Sequence, residues 1–541
     1  MIRAHGFFAE VEHPREMSQT LHLWWQDGAI YQIYLRSFQD SNGDGVGDLR
    51  GILARLDYLV KLGVDAIWIS PFYPSPMADF GYDVADYCNV DPLFGTLADF
   101  DALLEAMHQR GLKLILDFVP NHTSNQHPWF VESRSSRTNP KRDWYLWHDP
   151  APNGDPPNNW MSHFGGSGWT LDPTTGQFYF HSFLAEQPDL NWRLPDVREA
   201  MYAAMRFWLD RGIDGFRMDV LWLLIKDDLF RNNPETGEAV FNADQPETLA
   251  IVHQMRTLLD QYPDRVLIGE IYLPLRRLVR YYGEVAEDPV PHLDGANLPF
   301  NFHLILTPWE ADPIAALIRD YEAVLPHGAW PNYVLGNHDQ KRLASRIGPA
   351  QARVAAVLLL TLRGTPTLYY GDELGMPDAC ISLNQVRDPA ETNRPGQGRG
   401  RDPERSPMVW QNIENAGFTA SGVATWLPLV WDWPNYSVDT EEADVRTILQ
   451  LYRSLLALRR KRPELHAGTI DEVCAQDGVL SYERHSAAGK IRILLNMTDE
   501  ERWLECAPGK ILLSSWLDRD NVVTGWVELR RNEAIILDLY S

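Results

Sequence analysis

One unit recurs along the chain and limits the fold more than any other feature. An amphipathic stretch ends in glycine, and a short apolar run that finishes in polar residues follows. In "LRGILARLDYLVKLG", Leu49, Ile52, Leu53, Leu56, Leu59 and Val60 fall at helical spacing; Gly63 ends the stretch and "VDAIWISP" comes next. "TLADFDALLEAMHQRG" opens with Thr96 and Asp99 as a capping box, closes at Gly111 and leads into "LKLILDFVPNH". "DVREAMYAAMRFWLDRG" closes at Gly212 before "IDGFRMD". Helix, glycine, buried strand is the rhythm of a parallel α/β protein. Candidate strands end near Leu35, Ser70, Phe118, Asp219, Glu270, Phe300, Asp339 and Tyr370, which predicts a (β/α)8 barrel rather than an open sheet.

Two intervals break the rhythm. Residues 121–185 are rich in Asn, Pro, Gly and Trp and read as a subdomain inserted after the third strand. Residues from about 371 to 433, after the eighth strand, are irregular and rich in Pro, Arg and Asp. The barrel therefore takes residues 1–120 and 186–465. From 466 to 541, alternating runs such as "VLSYERHS", "KIRILLNM" and "EAIILDLY" predict an antiparallel C-terminal β-sandwich.

A chain of 541 residues can bury a large core and divide into about two to four domains. Its net charge of −25, with no basic run, excludes nucleic acid and anionic membrane as partners. The many aromatics (20 Trp, 21 Tyr, 20 Phe) suit a flat ligand such as a sugar as well as a core. Cys88, Cys380, Cys474 and Cys506 lie far apart, in no metal-ligand spacing, and read as free buried thiols. The first nineteen residues carry no apolar leader core, and runs such as "AAVLLLTL" are too short to span a bilayer. The expectation is a soluble, cytoplasmic protein.

The stretch "DSNGDGVGD", Asp40 to Asp48, begins like an EF-hand loop. Its twelfth position is Gly51 instead of a bidentate Glu, and a strand-like run precedes it where a helix belongs. It is either a cation loop of another fold or a set of Asx turns.

The expected strand ends are polar: Asp117 with Asn121 and His122, Arg217 with Asp219, Glu270, and Asn337-His338-Asp339. Catalytic groups of a (β/α)8 barrel sit at these ends. "DFVPNH", "GFRMD", "IGE" and "LGNHD", in this order, resemble the α-amylase superfamily of glycoside hydrolases, glycoside hydrolase family 13. "WWQDGAIYQIYLRSFQDSNGDGVGDLRGI", "QPDLNW" and "GRDPERSPMVW" are similar to its α-glucosidase and oligo-1,6-glucosidase branch.

The resemblance implies a retaining exo-α-glucosidase acting on small α-glucosides and oligosaccharides, with Asp219 as nucleophile and Glu270 as general acid/base, about 5–5.5 Å apart. Asp219 is expected to stay ionised beside Arg217, and Glu270 to be pushed up so that it can donate a proton. Asp339 resembles the third carboxylate, which grips sugar hydroxyls; His122 and His338 look like hydroxyl ligands. Asp83 and Arg401 (with Arg405 as the alternative) resemble the pair that closes the far side of the first glucose. Tyr82 is expected to stack on the sugar and Phe183 to line the cleft. Members that prefer α-1,6 bonds resemble this chain in carrying Val at Val220. The family also implies a structural Ca2+ or Mg2+ on Asp40, Asn42, Asp44, Asp48 and the Val46 carbonyl, and no organic cofactor. Two other readings share the scaffold: a sucrose- or trehalose-converting transglycosidase, and a non-catalytic transporter-associated chain. The latter loses catalytic groups and adds a membrane helix, whereas this sequence keeps Asp219, Glu270 and Asp339.

Overall fold

The computed structural model describes residues 23–286 and 292–540; the leader reading of the first nineteen residues lies outside them. Eight parallel strands form one sheet: β1 (Ile30–Ile33), β2 (Ala66–Ile69), β3 (Lys113–Phe118), β4 (Gly215–Met218), β5 (Val266–Ile271), β6 (Leu298–Asn301), β7 (Asn332–Val334) and β8 (Thr365–Tyr369). The hydrogen-bonded order runs β6-β5-β4-β3-β2-β1-β8-β7. The two end strands meet through a side chain. Asn332 accepts the Asn301 N–H at 2.9 Å and donates to the Pro299 carbonyl at 2.7 Å. Proline has no N–H for a ladder at this seam, and the asparagine amide closes the barrel in place of a backbone ladder.

The helices form where the periodicity places them. Thr96 and Asp99 make the reciprocal capping box of helix Leu97–Gln109. Gly63 and Gly212 end helices Leu56–Leu62 and Pro195–Arg211 in left-handed backbone, with φ of 98° and 100°, where a Cβ would be strained. The helix expected over Leu49–Leu62 is two shorter ones that break at Arg55. Seven strands end within two residues of expectation. The seventh ends at Val334 instead of Asp339, because the chain turns into a loop that carries Asn337, His338 and Asp339 inward.

Between β3 and helix Pro195–Arg211 the chain builds a small three-stranded antiparallel sheet from Trp147–His148, Trp169–Asp172 and Gln177–Phe180, with the helix Pro128–Ser135. The C-terminal strands β9 (Thr469–Gln476), β10 (Val479–Ser486), β11 (Gly489–Asn496), β12 (Arg502–Ser514), β13 (Val522–Leu529) and β14 (Ala534–Leu539) form one continuous antiparallel sheet rather than two separately bonded layers. Its period of two serves both faces. Leu480, Tyr482, Ile493 and Ile536 join the main core, while Val479, Leu494, Ile535 and Leu537 build a core of their own with Val523 and Val527.

All four cysteines are free. Only Cys506 is fully buried, and Cys380 and Cys474 are exposed, so the expectation of buried thiols fails for these two. No helix of the described residues is long and apolar enough to cross a membrane.

Candidate active site

Parallel register brings the polar strand ends to one face. Asp117 of β3 pairs with Arg217 of β4, and Glu270 of β5 with Phe300 of β6. Arg217 is fully buried and serves three acids. Nη1 donates to Asp117 Oδ1 at 2.9 Å and to Asp219 Oδ1 at 2.8 Å, and Nη2 donates to Glu270 Oε2 at 2.6 Å. The guanidinium also lies 4.9 Å from the centre of the Trp68 ring. Asp219 and Glu270 are thus held on the two terminal nitrogens of one rigid fork.

One cation cannot neutralise three buried carboxylates. Burial pushes Asp117 up to about 6 against the pull of Arg217. It raises Asp219 well above the ordinary carboxylate range, reinforced by the neighbouring Glu270 charge. It also raises Glu270, over the opposing pull of Arg217 and with help from Asp339. The expectation for Glu270 agrees in direction. At Asp219 the downward pull expected from Arg217 is present but does not set the direction, because Arg217 is shared and burial outweighs it.

Behind these acids runs a buried chain of hydrogen bonds. Gln32 Nε2 donates to His338 Nδ1 at 2.7 Å; His338 Nε2 lies 2.7 Å from the Tyr82 hydroxyl, which donates to Asp117 Oδ2 at 2.9 Å. His338 is packed between the rings of Tyr82 and Tyr34, at interplanar angles of 6° and 18°. Burial holds it well below the usual histidine range, so the ring is neutral. His122 is lowered to about 4 by burial and contacts the Tyr82 carbonyl and Gln187. Phe183 packs on His122 and on His163, with ring centres 5.2 and 5.1 Å apart.

Asp339 accepts from Arg405 Nη2 at 2.8 Å and from Arg401 Nη1 at 3.2 Å. Burial works to raise its carboxyl, but the His338 Nε2 edge 3.3 Å away and the charges of these two arginines overcome it and hold it well below the ordinary range. Arg401 also binds Asp79 at 2.7 Å and Asp388 at 2.8 Å, and lies 5.0 Å from the Phe164 ring centre. Asp83 is not its partner. It is fully buried and accepts the N–H groups of Ala78 and Asp79 at 2.8 and 3.0 Å, fastening the turn that aims Asp79 at Arg401. Arg405 donates to the His338 carbonyl and to Asp339 and lies behind the cavity wall.

A cavity of about 580 Å3 joins these parts. Asp219, Glu270, Asp339, Tyr82, His122, Phe183, Val220, His338 and Arg401 line it; Asp83 and Arg217 do not. Sequence reasoning missed Asp79, His163, Phe164, Trp222, Tyr272 and Arg277 on its walls. The only available signals were position, four residues before Asp83 for Asp79 and two after Glu270 for Tyr272. Val220, beside Asp219, has φ 38° and ψ 47°, a strained left-handed conformation for a β-branched residue.

The Asp40–Asp48 loop carries hard oxygen donors of the type Ca2+ and Mg2+ prefer. Its side chains face their own loop. Asp40 accepts the N–H groups of Asn42, Gly43 and Gly45 and the Thr419 hydroxyl. Asn42 accepts from Asp44 N, Asp44 from Val46 N, and Asp48 from Ser41 and from Gly51 N. Among the described residues no three His, Cys, Asp or Glu side chains stand together as a ligand cluster. The donor types suit a cation, while their present arrangement is that of Asx turns.

A parallel barrel that presents two buried carboxyls on one guanidinium, in a cavity at the C-terminal ends of its strands, has the architecture of a glycoside hydrolase. Comparison with known proteins agrees. The family described as "Alpha amylase, catalytic domain" matches residues 32–468, and the chain belongs to that family. A probable alpha-glucosidase of Rhizobium meliloti is 40% identical, over 93% of this chain and 96% of its own. An oligo-1,6-glucosidase of Parageobacillus thermoglucosidasius is 37% identical, over 88% and 91%. Among solved structures, the alpha-glucosyl transfer enzyme XgtA superposes with a TM-score of 0.91 at 39% identity, covering 96% of this chain and all of that one. The isomaltulose synthase SmuA from Protaminobacter rubrum gives 0.90 at 32% identity, with coverage of 96% and 100%.

Proposed function

We propose that the protein is a retaining, exo-acting α-glucosidase that removes terminal glucose from short α-glucosides. The observation that carries this reading is the Arg217 fork, which sets Asp219 and Glu270 side by side in a cavity walled by Asp79, Arg401 and Asp339. The Asp219 carboxylate attacks the anomeric carbon while Glu270 protonates the departing glycosidic oxygen. A covalent glucosyl ester forms on Asp219. Water then attacks the same carbon, Glu270 takes the water's proton, and α-glucose leaves. Arg217 Nη2 and the Val220 N–H both point at Glu270 Oε2, which leaves Oε1 to carry the proton. Arg217 holds Asp219 through Oδ1, leaving Oδ2 for attack. The raised carboxyls suit a pair that shares one proton, as acid and nucleophile must.

Asp339, held ionised by its arginines, is the acceptor for sugar hydroxyls, and Tyr82 and His338 supply a flat wall beside it. The dead end made by Arg401 and Asp79 underlies the exo character. In this reading the Asp40–Asp48 loop takes up Ca2+ or Mg2+ for stability, not chemistry, and the protein works in the cytoplasm, a reading its four free cysteines support.

NMR of early product from 4-nitrophenyl α-glucoside, whose only glucose is the unit attacked, tests the proposal. α-Glucose appearing before mutarotation is expected, and early β-glucose would refute the two-step mechanism. The likeness to a glucosyl transfer enzyme and an isomaltulose synthase favours one second reading, in which an acceptor sugar replaces water. Incubation with sucrose separates the two: free glucose and fructose mark hydrolysis, and an isomeric disaccharide marks transfer.

A further inference from the structure

Away from the Asp79–Arg401 end, the cavity wall is made by two loops. The loop after β4 supplies Val220, Trp222, Glu238 and Ala239, and the loop after β5 supplies Tyr272 and Arg277. Trp222 meets the Tyr272 ring nearly edge-on at 5.7 Å, and Tyr272 is stacked flat on Phe302 at 4.4 Å. This wall is aromatic and rigid. Among the described residues Arg277 is the one cation on it, and it is well fixed for a residue at a cavity rim.

Its anchor is Asp244. One carboxylate oxygen of Asp244 accepts Arg277 Nε at 2.6 Å, and the other accepts the Tyr281 hydroxyl at 2.6 Å. The Asp244 backbone N–H donates to the Trp222 carbonyl at 2.7 Å, which ties the anchor to the aromatic wall. Asp244 is held with φ 47°, a conformation that surrounding contacts must impose on a non-glycine residue. The anchor uses Nε alone. Nη1 reaches Glu238 Oε1 only at 3.6 Å, beyond a good hydrogen bond, and Nη2 makes no hydrogen bond with a described residue. A preorganised guanidinium thus presents its terminal N–H donors at the cavity rim.

Resting on the α-glucosidase reading, we propose that Arg277 donates hydrogen bonds to the hydroxyls of the leaving-group sugar, with Asp244 as the residue that positions it. The contact favours substrates whose leaving group is itself a sugar over those that leave as a plain aromatic alcohol. The terminal glucose would bind at the Asp339 end, and the unit beyond the scissile bond would lie along Tyr272 and reach Arg277.

The test compares kcat/KM for maltose and isomaltose with that for 4-nitrophenyl α-glucoside, whose leaving group has no hydroxyl besides the one being released. In Arg277→Ala the disaccharide-to-aryl ratio is expected to fall roughly 10- to 100-fold, the range for losing a hydrogen bond to a charged donor. Arg277→Lys should fall between this variant and wild type, and Asp244→Asn should shift the ratio in the same direction by loosening the guanidinium. Aryl-glucoside turnover shows that each variant is folded. An unmoved ratio, or an equal loss on all substrates in folded enzyme, overturns the proposal while leaving the glucosidase reading intact. Wild type inert on all three substrates overturns both.

Discussion

The Val220 N–H donates to Glu270 Oε2 at 3.1 Å, and Val220 does this from a left-handed backbone. The turn immediately after Asp219 therefore orients the second carboxyl, and the strain is held where the two acids must keep their spacing; such strain costs on the order of 1–3 kcal/mol. The Val220 side chain lines the cavity next to Trp222 and Asp219. An α-1,6 link adds a methylene and swings the second sugar aside, and a branched wall at this point crowds the straighter α-1,4 path. Val220→Thr keeps the branch but exchanges one methyl for a hydroxyl, a polar contact open to the second sugar of an α-1,4 link. The isomaltose-to-maltose ratio of kcat/KM is expected to fall several-fold, less than the roughly 10–200-fold that a full change of pocket shape supplies. A ratio that stays level or rises would place linkage choice in other residues.

Asp219 sets activity against stability. Its folded carboxyl is raised well above the usual range together with that of Glu270, so the pair keeps a proton in the native state that the unfolded chain gives up. Stability from this group is complete below the ordinary carboxylate range and declines as pH rises toward the folded value. Asp219→Asn removes that loss, and Arg217 keeps Asp117 and Glu270 as partners. The variant should lose several orders of magnitude in turnover. It should also melt higher than wild type at pH 8, with the gap closing below about pH 4. Thermal melts across pH decide it; a lower melting point at pH 8 would show that the Arg217–Asp219 contact outweighs the burial cost.

The barrel was legible because its signals are local. Gly63 and Gly212 end helices where periodicity stops, and the β3, β4 and β5 runs are apolar up to the acids they carry. The strand-end acids could be picked out for the same reason. Relationships between distant loops could not. Arg401 lies 322 positions from Asp79, and nothing local separates Asp79 from Asp83, four residues on. Arg277 reads as one of two basic residues on a short helix, and only the fold brings Asp244 to it. The upward shift at Asp219 is not legible because the sequence shows Arg217 two residues away but not the two other acids that share it.

The Asp40–Asp48 loop makes a prediction about stability alone. The Asp40 carboxylate lies under Thr419 of the insertion after β8, so the loop staples that insertion to the start of the barrel. A cation bound only by the native state stabilises by mass action. Added Ca2+ or Mg2+ at 100 times its Kd should contribute about 2.7 kcal/mol and raise the melting temperature, and chelator should lower it again. Activity at low temperature should be insensitive to both. Melting curves that ignore cation and chelator, with no metal found by elemental analysis, would leave the stretch as Asx turns.

Asp79 and Asp83 are four residues apart, both carboxylates and both buried, yet they should behave oppositely on substitution. Asp79 lines the cavity and gives its charge to Arg401 at 2.7 Å; in the proposed function this pair is the end wall for the terminal glucose. Asp79→Asn leaves Arg401 drawn toward Asp388 and Asp339 and alters the hydroxyl acceptors at that wall. KM for every α-glucoside should rise, and kcat/KM should fall roughly 10- to 100-fold, as expected for losing a charge-assisted contact. Asp83 touches no cavity atom; its two oxygens accept the Ala78 and Asp79 N–H groups. In Asp83→Asn only one oxygen remains an acceptor, so one buried N–H loses its partner, at a cost of about 1–3 kcal/mol in stability. Its kinetic constants should stay within a few-fold of wild type, since the turn persists below the melting point. Urea unfolding and substrate kinetics on both purified variants give the answer. Folded Asp83→Asn enzyme with strongly reduced kcat/KM, beside a near-normal Asp79→Asn, would return the pocket-closing role to Asp83.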